Sequence, residues 1–181
     1  VIYDRIEATN PDFKKVFLMH SIKEPEIIGN KSIIKRGDGL DGKLVSYTLL
    51  PNNPVIEKVN GYKINGTNYS PGTKNSRTYE DLQWRAEISP SSKNLSEPFL
   101  HVMAVMDQDE VEPSVEKIID DNLAGVKILD RVILFDKNGN AVTDASFELK
   151  GDQIFKILLC DILPGEWEVN SNGKYLGTFT A

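Results

Sequence analysis

Apolar residues in this chain recur with a period of two, and turn-forming residues interrupt them about every ten positions, a rhythm that belongs to β-sandwiches and barrels. Leu82, Trp84, Ala86 and Ile88 alternate with Gln83, Arg85 and Glu87, as in a strand with one buried and one solvated face. Val16, Leu18, His20 and Ile22 alternate with Phe17, Met19 and Ser21; both faces are largely apolar, which predicts a central strand. The stretch from Phe99 to Met106 reads as a core strand for the same reason. Turn formers lie between these segments, among them Pro25, Gly37-Asp38-Gly39, Pro51-Asn52-Asn53-Pro54, Asn60-Gly61, Asn65-Gly66 and Pro71-Gly72. Only Ser114 to Asn122 offers helical spacing, through Val115, Ile118 and Ile119 behind a Ser114 cap, and it is short enough that a strand is preferred. The predicted fold is all-β.

Asp107-Gln108-Asp109-Glu110-Val111-Glu112-Pro113 is acidic, ends in proline and follows an apolar strand, so it reads as a linker between two cores. The expected division is a β-sandwich region over residues 1–110 and a smaller antiparallel β-domain over 111–181. Within the second, Val132 to Phe135 and Ala141-Val142 flank Asp136-Lys137-Asn138-Gly139-Asn140, which predicts a hairpin through the Asn-Gly turn. Ile154 to Ile162, Glu166 to Val169 and Tyr175 to Phe179 continue as strands separated by Pro164-Gly165 and Asn172-Gly173.

Composition excludes several functions. No apolar run approaches the roughly 18 to 20 residues of a membrane-spanning helix, and the mean hydropathy is −0.32. With 27 acidic against 21 basic residues the net charge is −6, so nucleic acid is not an expected partner. Two histidines and one cysteine cannot make a His/Cys zinc site without carboxylates, and their spacing carries no metal signature. Cys160 reads as a buried, inert thiol. The chain opens on Val1 without Met or a leader-like segment, which suggests a fragment or processed product.

Candidate chemistry is sparse. His20 and His101 could serve as general bases, yet each sits between apolar neighbours and reads as a core histidine. Asp136-x-Asn138-x-Asn140 starts like a calcium loop but has Ala141 where glycine and Phe147 where glutamate are required, so a plain turn is preferred. Asp38 and Asp41 in the Gly37–Gly42 loop are a weaker calcium candidate. Arg36-Gly37-Asp38 spells an adhesion-type tripeptide, a match short enough to arise by chance. Sequons begin at Asn30, Asn65, Asn68 and Asn94. Tyr62, Tyr69, Arg77, Tyr79 and Arg85 form the best binding cluster, since tyrosine rings stack on sugar faces and arginine pairs with carboxylate or sulfate; neighbouring Trp84 reads as core. No catalytic residue and no cofactor site is assigned.

Five segments in order carry a resemblance: Val1-Ile2-Tyr3-Asp4-Arg5, Lys14 to Ser21 followed by Glu24-Pro25, Gly42 to Pro51, Trp84 to Pro90, and Phe99 to Met103. Together they resemble the heparinase II/III-like polysaccharide lyases over residues 1 to about 106. The tail, with Gly125-Val126, Val132 to Phe135 and Leu163-Pro164-Gly165-Glu166-Trp167, is similar to the small β-domain that closes such proteins. The resemblance implies a parent enzyme with an N-terminal α/α toroid followed by β-sandwiches, which cleaves uronic-acid polysaccharides by β-elimination and is secreted or periplasmic in bacteria. It places the catalytic and metal-binding residues before Tyr3-Asp4-Arg5, so none transfers to a position of this chain. The expected function is therefore a non-catalytic β-sandwich region that supports the substrate cleft. The alternative is a carbohydrate-binding or adhesion module in its own right.

Overall fold

The computed structural model describes residues 1–37, 39–64, 66–69 and 83–181, without the side chains of 62–64, 68 and 69. Among the described residues there is no helix, and therefore none long and apolar enough to cross a membrane. The chain divides into two compact units, Val1–Pro113 and Ser114–Ala181.

Among the described residues the first unit holds ten strands: β1 (Ile2–Glu7), β2 (Phe17–Ser21), β3 (Glu26–Ile28), β4 (Lys31–Lys35), β5 (Gly42–Leu50), β6 (Val55–Asn60), β7 (Tyr62–Ile64), β8 (Thr67–Tyr69), β9 (Trp84–Ser89) and β10 (Ser96–Asp107). They form a five-stranded antiparallel sheet, β1-β10-β5-β4-β3, a three-stranded antiparallel sheet, β2-β9-β6, and the β7–β8 hairpin. The centre of the larger sheet is buried on both faces: Val45, Ser46, Tyr47 and Thr48 of β5 and Phe99, Leu100, His101 and Val102 of β10 are all at most 8% exposed. The apolar run predicted as a core strand over Phe99 to Met106 is buried at Phe99 to Val102 and emerges beyond, where Val105 is 82% exposed. From the smaller sheet, Met19, Ala86 and Ile88 are buried, and Phe17 stacks on His101 with ring centroids 4.0 Å apart. That contact joins the two layers of the sandwich.

The segment 16–22 departs from expectation. β2 lies at the end of its sheet, with Met19 and Ser21 buried while Leu18, at 51%, and His20 are exposed. The serine can point inward because its hydroxyl donates to the Lys23 carbonyl at 2.8 Å, so polarity alone misleads about the buried face. His20 is not a core histidine.

The acidic stretch after β10 is held to the first unit. Lys31 pairs with Glu112 at 2.7 Å, the Lys43 ammonium donates to the Glu110 carbonyl at 2.6 Å, and the Tyr47 hydroxyl donates to the Pro113 carbonyl at 3.2 Å. The Lys31 hydrogen bond holds the Glu112 carboxyl below its ordinary range, whereas burial, with Glu112 beside it, raises the Tyr47 phenol.

The second unit contains β11 (Val115–Ile119), β12 (Leu123–Ile128), β13 (Arg131–Asp136), β14 (Lys156–Leu159), β15 (Glu166–Ser171) and β16 (Lys174–Thr180). Its sheets are β11-β12-β13-β14 and the β15–β16 hairpin, antiparallel except for the parallel β13–β14 pair. The core gathers Leu123, Val132, Leu134 and Val142, with Phe147, Phe155 and Trp167 packed on it. The short segment with helical spacing is strand β11.

The Asn138-Gly139 hairpin does not form. Asp136 closes the loop instead, its Oδ1 accepting the backbone N–H groups of Asn138 at 2.8 Å and Asn140 at 2.9 Å. Val142 then makes a parallel bridge to Ile162, which leaves the far edge of β13 to β14. Asn172-Gly173 does turn a hairpin, at φ of 51° and 75°. Cys160 is half-buried rather than buried.

Candidate functional site

Strand β9 is the middle of the smaller sheet, and its alternation sorts the polar groups. Ala86 and Ile88 turn toward the sandwich interior; Arg85 and Glu87 lie on the other face, where the register sets Arg85 opposite His20 and Val59, and Glu87 opposite Leu18 and Glu57. This face leads through Gly61 into the β7–β8 hairpin, in which Tyr62 and Tyr69 are register partners. The topology thus brings Arg85, Tyr62 and Tyr69 of the predicted binding cluster to adjoining elements. Arg77 and Tyr79 lie outside the described residues, and the Tyr62 and Tyr69 side chains are not described.

Arg85 is only 4% exposed. Its Nε donates to Glu87 at 2.8 Å and its Nη1 to the Gly61 carbonyl at 2.6 Å. Glu87 also receives Lys14 Nζ at 2.9 Å, and the Lys14 hydrogen bond, reinforced by Arg85 against the opposing effect of burial, keeps its carboxyl below the ordinary range. The result is a charge-balanced row, Lys14–Glu87–Arg85, that ties the sheet to the foot of the hairpin. Trp84, read from the sequence as core, is half-buried. Sequence alternation placed Arg85 on a solvated face; only the fixed Gly61 carbonyl beside it explains why the guanidinium sinks in.

His20, on this same face, is exposed beside Arg85. Its exposure follows from the position of β2 at the sheet end, which the local pattern does not encode. His101 lies elsewhere: it is fully buried between the sheets, its Nδ1 is 3.3 Å from the Thr48 hydroxyl, and burial pushes its pKa down to about 4.

Among the described residues no group of three or more His, Cys, Asp or Glu is placed to hold a metal ion. Asp136 spends Oδ1 on the two backbone donors of its own loop; Asp38 lies outside the described residues. Of the sequons, Asn30 donates its amide to the Thr48 carbonyl at 2.8 Å and Asn94 to Ser92 and Glu97, while Asn65 and the Asn68 side chain are outside the described set.

Comparison with known families then supplies a finding that geometry alone does not. Residues 117–180 match the family described as Heparinase II C-terminal domain, nearly the whole of the second unit. No curated protein matches the chain.

Proposed function

From a second unit that is a heparinase II-type C-terminal domain, we propose that the chain is the non-catalytic β-region of a heparinase II/III-like lyase. The parent enzyme cleaves a uronic-acid polysaccharide by β-elimination, and this region braces its toroid and forms a wall of the substrate cleft. The family match to residues 117–180 is the observation that carries the reading. The resemblance of the first unit, which places the chemistry before Tyr3, supports the non-catalytic part. The parent is secreted or periplasmic on the same resemblance.

In this reading the sugar contacts come from Tyr62, Tyr69, Arg77 and Tyr79, with Arg85 at the base of the hairpin. What supports it is that Tyr62 and Tyr69 are backbone register partners in the hairpin that follows Gly61, whose carbonyl Arg85 contacts, because tyrosine is a residue type that suits a pyranose and arginine one that suits its carboxylate. The same pair is what favours the alternative, a carbohydrate-binding module in its own right. Calorimetric titration with uronic-acid oligosaccharides is the test. Binding weakened at least tenfold by Tyr69→Ala and by Arg77→Ala is the expected result, and binding untouched by both substitutions removes the cluster from the site.

A further inference from the structure

His101 is the group in the sandwich interior that the proposed function leaves unused. Its ring stacks on Phe17 of β2, at 4.0 Å between centroids, with Phe99 at 6.1 Å, and none of its surface is exposed. Nδ1 has Thr48, whereas Nε2 is buried without a hydrogen-bond partner. Two further unpartnered hydroxyls, Ser32 and Ser46, are buried in the same sheet, on β4 and β5. A neutral imidazole tolerates this setting with one ring nitrogen bonded; an imidazolium has two N–H donors and a charge to place in it.

We propose that His101 makes the first unit acid-labile, so that proton uptake by its imidazole drives apart the two sheets that Phe17 and His101 join.

The charged groups on the facing surfaces do not offset the cost. On the His101 face, β1 contributes exposed Asp4, opposite Phe99, and β10 contributes Glu97, which is engaged by Asn94 at 3.0 Å. Lys15, just before β2, is buried and donates to the Phe13 carbonyl, and Lys58 of β6 pairs with Glu24 at the rim. The inward-facing residues of β4, β5 and β9 carry no charge.

Unfolded, the imidazole titrates near its ordinary value of about 6.5. In the fold it stays neutral down to about 4. The unfolded chain therefore binds the proton first as pH falls, so stability is constant above roughly pH 6.5 and is lost between about 6.5 and 4. Between pH 7 and pH 5 the opening constant of the sandwich rises roughly twenty-fold from this group alone.

Hydrogen exchange of the β2 and β9 amides, corrected for intrinsic rates, reads this directly. The expected result is a roughly twenty-fold loss of protection from pH 7 to pH 5 in the wild type and less than threefold in His101→Gln. An equal loss in both proteins overturns the proposal. Nitrogen chemical shifts of the His101 ring in the unmodified protein give an independent reading that does not depend on the variant folding. A neutral ring at pH 5 is expected, and an imidazolium in the folded protein at pH 6 contradicts it.

Discussion

Arg85 illustrates how a single side chain can be fixed by groups that a strand pattern does not contain. Its guanidinium reaches Glu87 two residues along its own strand and a backbone carbonyl 24 residues away, at Gly61. Removing one partner from a buried charged pair costs about 3 to 5 kcal/mol, most of it from stranding the groups left behind. Here Lys14 still covers Glu87, so the loss for Arg85→Ala is expected near the lower figure, about 3 kcal/mol in urea unfolding. Arg85→Lys should recover part of it, because a single ammonium cannot serve both acceptors as the planar fork does. A loss under about 0.5 kcal/mol, the size of an ordinary surface substitution, would show that the row is decorative. Asp136 is the counterpart in the second unit: a residue that looks like a cation ligand by spacing and instead organises a loop through two backbone N–H bonds.

At the level of elements, the strands whose sequence alone is decisive are those buried on both faces. Phe99 to Val102 has no polar side chain apart from His101, and no register places it on a surface; it is accordingly central in β10. Residues 16–22 look just as apolar, but a strand at the end of a sheet packs one face only, and which face is chosen depends on partners distant in sequence. The hairpin expected at Asn138-Gly139 fails for a similar reason. Turn chemistry permits a reversal there, yet the parallel pairing with β14 takes the edge that the returning strand would need. For the candidate site, the tyrosines and arginines cluster in sequence within a short span, and of them Arg85 alone has a side chain among the described ones; the exposure of His20 was not legible, since it arises from sheet order.

Gly125, in the middle of β12, shows an element constraint that can be tested. A Cβ built there would lie 2.8 Å from Leu134 Cδ2 and closer still to the Ile133 carbonyl oxygen, both on the neighbouring β13. Backbone cannot yield as a side chain end can, so Gly125→Ala is expected to destabilise the second unit by about 3 kcal/mol, the upper end of overpacking. Chemical denaturation followed through Trp167, which packs on that core, measures it. A change under about 1 kcal/mol would mean that β12 and β13 are not in the register seen here.

For the whole molecule, the described residues form an all-β architecture, and residues 117–180 match the Heparinase II C-terminal domain family; the supporting role is the proposal built on that match. Its two histidines are separated in role: one is buried between sheets and the other stands on an outer strand beside Arg85. The net charge of −6 also argues against holding a polyanion by bulk attraction, so the proposed uronate contact is a local one. The most direct test is to incubate the chain with a panel of uronic-acid polysaccharides and follow the ultraviolet absorbance of unsaturated uronate ends. The account predicts no rise over the protein-free control with any of them; a rise that scales with protein concentration and disappears in His20→Ala would place β-elimination chemistry within this chain and contradict it.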